Sequence, residues 1–135
     1  MTASGGRKVR SFIAIPVPSA GIEALEGVVG RLDSEIGRYV RWVRPEGIHV
    51  TLKFMGDILV QKAEQVLESL PPVAAGFSPF ELSISGLGVF PNARRPRVLW
   101  AGLAGHLETL SALQQAVDDA VGGSGLPKEQ RAFSP

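Results

Sequence analysis

The stretch Trp42-Val-Arg-Pro-Glu-Gly-Ile-His-Val-Thr-Leu-Lys-Phe-Met-Gly-Asp57 decides how the rest of the chain is read. Apolar residues alternate at Ile48, Val50, Leu52 and Phe54, the pattern of a strand with one buried face. Alternation then assigns His49, Thr51 and Lys53 to the opposite, open face, with Lys53 read as a solvated residue. Neighbours on one face of a strand stand about 6.6 Å apart, so an imidazole and a hydroxyl at positions 49 and 51 converge on one small anion such as a phosphate. Immediately upstream, residues 39–43 read as a second strand. It turns through Pro45-Glu46-Gly47 and pairs antiparallel with 48–55.

Working outward, residues 9–17 predict a strand ended by Pro16 and Pro18, with Ser19 as a helix N-cap. Ile22, Leu25, Val28 or Val29, Leu32 and Ile36 recur at helical spacing, which predicts a helix over 20–36 with Gly37 as its stop. A second helix over 60–70 turns Ala63, Val66, Leu67 and Leu70 inward and ends before Pro71-Pro72. Residues 80–87 alternate as a half-buried strand, 88–96 form an exposed loop carrying Pro91, Asn92 and two arginines, and 97–103 form another strand. Leu107, Leu110, Leu113, Val117 and Val121 then line one face of a helix over 105–121, closed by Gly122-Gly-Ser-Gly125. The strand at Ser11 and the strand at Arg97 are 86 residues apart, and the same displacement carries His49 to position 135. The spacing predicts a strand-helix-strand unit used twice, with the second copy of the His49 strand beginning where the sequence ends.

At 135 residues the chain suits one domain, read as 9–135 behind a small, polar tail at 1–8. A hydrophobic content of 44% with 20% charged residues is ordinary for a globular protein and argues against global disorder. The sequence has no cysteine, which excludes disulfides, thiolate metal sites and cysteine nucleophiles. The apolar run at 12–17 is too short for a signal peptide, nothing resembles a membrane span, and a cytoplasmic monomer is the default expectation. Net charge is only +1, but basic residues cluster at Arg7, Lys8 and Arg10, at Arg38, Arg41 and Arg44, and at Arg94, Arg95 and Arg97. Acids gather on the expected helices, Asp118 and Asp119 among them. Arg41 and Arg44 lead directly into the His49 strand and are candidate phosphate binders, whereas Phe90 and Arg94 are candidates for stacking on a base and pairing with a phosphate. Trp42 and Trp100 read as packing residues.

Four segments carry a resemblance: Arg10-Ser-Phe-Ile-Ala-Ile-Pro-Val-Pro18, the His49-x-Thr51-Leu strand, Gly86-Leu-Gly-Val-Phe-Pro-Asn-Ala-Arg-Arg-Pro-Arg-Val-Leu-Trp-Ala-Gly102, and Arg131-Ala-Phe-Ser-Pro135. In this order they resemble the bacterial RNA 2′,3′-cyclic phosphodiesterases, also called 2′-5′ RNA ligases, of the two-histidine phosphoesterase superfamily. The resemblance runs from about Val9 to Pro135 and covers roughly three quarters of a family domain. It implies an α+β fold of two pseudo-duplicated lobes of antiparallel sheet, with helices outside and a central cleft holding the phosphate. It also implies metal-independent and cofactor-independent opening of a terminal 2′,3′-cyclic phosphate to a 2′-phosphomonoester, with 2′-5′ ligation as the reverse. RNA ends or nucleotides bearing that cyclic phosphate are the implied partners. Only His49 and Thr51 match the family's catalytic positions. Family members continue from a segment like 131–135 into a second His-x-Thr strand, and this sequence stops before it, so impaired activity is the expectation. A non-catalytic RNA-end or nucleotide-binding module that retains one half-site is the alternative. The other histidine, His106, starts a helix, lacks the His-x-Thr pattern and reads as non-catalytic. No pair of histidines at helical spacing, nor a histidine with spaced carboxylates, suggests a metal.

Overall fold

Strands β1 (Lys8–Pro16) and β2 (His49–Leu59) form one two-stranded sheet, and β3 (Leu82–Phe90) and β4 (Val98–Gly105) form another. Helix α1 (Ser19–Ile36) connects the strands of the first sheet, α2 (Val60–Ala75) leads from β2 to β3, and α3 (Leu107–Gly123) follows β4. The computed structural model describes residues 6–44, 47–128 and 133–135. Within these, one compact unit comprises the described residues of Met1–Ile13 and Leu52–Pro135, and the other those of Ala14–Thr51. The α+β class is the one expected.

The strand predicted over 39–43 does not form. A 3-10 turn occupies Gly37–Tyr39 and residues 40–44 are irregular, while β2 takes β1 as its partner. Tyr39 is 77% and Val43 65% exposed, while Val40 and Trp42 are half-buried without strand pairing. Its Trp42 indole N–H instead donates to the Asp33 carboxylate of α1 at 2.8 Å. The expected turn at Pro45-Glu46-Gly47 has its first two residues outside the described set.

Helix ends differ from the reading for local reasons. Pro18 stands at the N-cap of α1, extended at φ −61°, ψ 160°, and Ser19 is the first helical residue rather than the cap. The Pro18 carbonyl accepts the Ile22 N–H at 3.0 Å, opening the helical ladder without a side-chain cap. Gly37 is right-handed at φ −53°, so α1 tightens into the 3-10 turn instead of stopping on a left-handed glycine. Helix α2 runs through Pro71 and Pro72 to Ala75. A proline ring deprives the carbonyl four residues earlier of its donor, and here those carbonyls belong to Leu67 and Glu68, both exposed residues. Leu67, expected inward, is 66% exposed.

Helices α2 and α3 pack together. Their unit buries Val66 of α2, Leu110, Val117 and Val121 of α3, and Leu52 and Ile58 of β2. Leu110 and Val121 have no exposed surface, as the α3 stripe requires, whereas Leu107 at its start is 39% exposed. In the other unit, Leu25 is the buried residue of α1.

The second sheet is an antiparallel hairpin in register from Leu82 opposite Gly105 to Phe90 opposite Val98. Its strands begin later and run longer than the alternation predicts, so Gly88 to Phe90 belong to β3 and the loop shrinks to 91–97. The register slips between Ile84 and Leu87, where Gly86 takes φ +79°, a conformation a side chain would resist. Opposite Trp100, Gly88 leaves the space the indole ring occupies.

Candidate functional site

His49 opens β2 and Thr51 follows two residues later; both are exposed. Strand periodicity sends their side chains the same way, and Val50 between them is half-buried. Arg41 and Arg44, exposed in the irregular segment after the 3-10 turn, belong to the same compact unit as His49 and Thr51. Phe90 and Arg94 belong to the other.

Phe90 ends β3 and is 63% exposed. The loop beyond it is closed by the Arg97 N–H donating to the Phe90 carbonyl at 2.7 Å. The Asn92 side-chain oxygen accepts the backbone N–H groups of Arg94 and Arg95, each at 3.0 Å, a local ring that shapes the basic tip. Arg94, Arg95 and Arg97 are all exposed.

Lys53 is not solvated. Its side chain is 5% exposed, and its ammonium donates to Asp118 Oδ1 at 2.7 Å and to the Pro127 carbonyl at 2.9 Å. A buried ammonium is expensive unless paired and hydrogen-bonded, and this one is both. The Gln114 amide lies 3.4 Å from the Leu52 carbonyl, a second tie between α3 and the same point of β2. Phe54, expected in the core, is 49% exposed and carries the Arg10 guanidinium 4.9 Å from its ring centre. The sequence did hold a signal for this arrangement: Gln114 and Asp118 flank the Leu110-Val117-Val121 stripe, where polar residues need partners. It did not say that the partners would come from β2.

The chain leaving α3 is held by further lysines. Lys62 of α2 donates to the Ser124 carbonyl at 2.6 Å, satisfying the C-terminal end of α3. Lys128 pairs with Asp119 at 2.7 Å on the surface. The hydrogen bond to Lys128 lowers the Asp119 carboxyl below its ordinary value, and its reciprocal raises the Lys128 ammonium.

His106 is the N-cap residue of α3. Its Nδ1 accepts the Glu81 N–H at 3.2 Å, and its own N–H donates to the Glu81 carbonyl at 3.2 Å, tying the start of α3 to the start of β3. Among the described residues no group of three or more His, Asp or Glu side chains is placed to hold a metal, and no helix is long and apolar enough to cross a membrane.

The profile of the LigT-like phosphoesterases matches residues 15–100, which include His49 and Thr51. The chain belongs to this family. It is 34% identical over 128 residues to the RNA 2′,3′-cyclic phosphodiesterase of Aquifex aeolicus, covering 94% of this chain and 67% of that protein. Against the RNA 2′,3′-cyclic phosphodiesterase of Methanothermobacter thermautotrophicus it is 39% identical over 114 residues, covering 82% and 59%. The LigT-like fold is shared with the crystal structure of Escherichia coli LigT in apo form, at a TM-score of 0.76 and 22% identity over 96% of this chain and 69% of that one. The same LigT complexed with 3′-AMP superimposes at a TM-score of 0.75. The chain thus spans about two thirds or less of the length of these family members.

Proposed function

We propose that this LigT-like chain supplies one half-site of a metal-independent phosphodiesterase that opens 2′,3′-cyclic phosphates at RNA ends to 2′-phosphomonoesters, with 2′-5′ ligation as the reverse. The supporting observation is the exposed His49-x-Thr51 pair at the start of β2, inside the segment matched to the family. Hydrolysis needs a base for the attacking water, an acid for the departing ribose oxygen, and donors to the charge growing on the phosphoryl oxygens. Histidine, titrating at about 6.5, serves as either base or acid near neutrality, and the Thr51 hydroxyl donates to a phosphoryl oxygen. Arg41 and Arg44 hold the RNA backbone, and Phe90 and Arg94 engage a base and a phosphate.

A two-histidine mechanism needs a second imidazole, and the one other histidine of these 135 residues, His106, has its ring engaged by the Glu81 backbone N–H at the start of α3. We therefore assign the 135 residues alone little turnover. The test follows adenosine 2′,3′-cyclic monophosphate by phosphorus NMR in the presence of a chelator, using this chain and one extended through a downstream His-x-Thr strand. The extended chain should produce the 2′-monophosphate with a bell-shaped pH profile, and His49→Ala should slow it by about 10²- to 10⁴-fold. Full activity in the short chain that resists His49→Ala would overturn the assignment. Binding without turnover in both chains would favour a nucleotide-binding module instead.

A further inference from the structure

The half-site strand is gripped directly after Thr51. Leu52 and Lys53, adjacent in sequence, are 6% exposed each, although neighbouring strand residues point to opposite faces. On one of those faces Lys53 reaches Asp118 and the Pro127 carbonyl. Strand periodicity gives Lys53 the same face as His49 and Thr51, about 6.6 Å further along from Thr51. Lys53, Phe54 and Met55 also share the lining of one depression with Leu126, Pro127 and Lys128, so β2 and the chain leaving α3 lie side by side there.

We propose that Lys53 is a positioning residue for the phosphodiester reaction. Its buried ammonium, bridging Asp118 and the Pro127 carbonyl, sets the register and tilt of β2 and thereby where His49 and Thr51 hold a phosphate. The chemistry of the grip favours this role over simple stabilisation. An ion pair with an added carbonyl has a defined distance and direction, whereas an apolar contact at the same place would let the strand slide. Replacing a buried ion pair by apolar side chains of similar volume commonly leaves stability intact, so a sequence needing stability alone has a cheaper solution. The inference rests on the phosphodiesterase reading for its function, but not for its structural consequence.

The test compares the parent with Lys53→Met/Asp118→Leu, in which neither charge is left orphaned, and with Lys53→Arg, which keeps the charge but changes its reach. Thermal unfolding reports stability. NMR reports the His49 imidazole and Thr51 amide resonances, and titration with adenosine 2′,3′-cyclic monophosphate reports binding. The double variant should unfold close to the parent, yet shift both resonances and bind the nucleotide about ten-fold more weakly. Lys53→Arg, if the double variant does not fold, should shift the same resonances in a folded protein. Unchanged His49 and Thr51 resonances with parental affinity in either folded variant would overturn the proposal. The phosphodiesterase reading is tested separately by turnover in the extended chain; if the parent half-site does not bind the nucleotide, the resonances alone decide the role of Lys53.

Discussion

At the scale of single residues, the chain contrasts two lysine-aspartate pairs with nearly equal distances and different environments. Lys53 and Asp118 meet at 2.7 Å with 5% of each side chain exposed, and Lys128 and Asp119 meet at 2.7 Å with more than half of each exposed. Removing one partner of a buried pair leaves an uncompensated charge in a low dielectric. Lys53→Met alone should therefore lower unfolding stability by about 3–5 kcal/mol, read from urea titration, with most of the loss recovered when Asp118→Leu is added. The surface pair is screened by water, and its signature is a small, pH-dependent contribution. Because its folded carboxyl titrates below the ordinary 3.8, Asp119 favours folding above that pH, and the contribution fades as pH falls through the lowered value. Lys128 has the opposite sign: its contribution is present below the ordinary 10.5 and fades as pH rises through the raised value. Following the Asp119 carboxyl by NMR in Lys128→Met should show its titration moving up toward the ordinary range.

Among the elements, the β3–β4 hairpin owes its form to two glycines with different duties. Gly86 supplies the left-handed backbone at the register slip, and Gly88 leaves room for the Trp100 ring across the strand pair. Gly88→Ala should cost about 1–3 kcal/mol, because the added methyl forces the indole off its place; a calorimetric scan with no loss would show that the ring moves freely. Sequence alternation found both strands of this hairpin but placed their ends early, since a flat polar-apolar pattern does not say where cross-strand pairing stops. Helix α2 shows the converse limit. Pro71-Pro72 read as an end, yet the helix continues, since the fixed torsion of the proline ring is compatible with helix and the residues one turn earlier, Leu67 and Glu68, are exposed. The failed strand at 39–43 had hydrophobic residues without a partner surface, and the Trp42–Asp33 bond to α1 took their place.

For the molecule as a whole, a net charge of +1 conceals clustered arginines, and the proposed binding to RNA should depend on the clusters. Affinity for an oligonucleotide ending in a 2′,3′-cyclic phosphate should fall with salt, and Arg41→Ala and Arg44→Ala should each reduce the slope by about one counterion. An unchanged slope would remove them from the binding surface. The repeat expected from spacing has a structural counterpart, since α3 at Leu107 starts 88 residues after α1 at Ser19, each behind a strand of its own sheet. The sequence by itself determined the elements of this repeat, the α+β class, the family to which the chain belongs and the exposed His49-x-Thr51 pair, because these rest on local periodicity and short motifs. Only the tertiary structure decided that β2 pairs with β1, that Phe54 stands exposed beneath Arg10, and that Lys53 is buried against Asp118 and Pro127. Those outcomes join residues up to 74 positions apart. A lysine in an alternating strand reads as solvated until the helix that covers it, and the carboxylate that pairs with it, are in place.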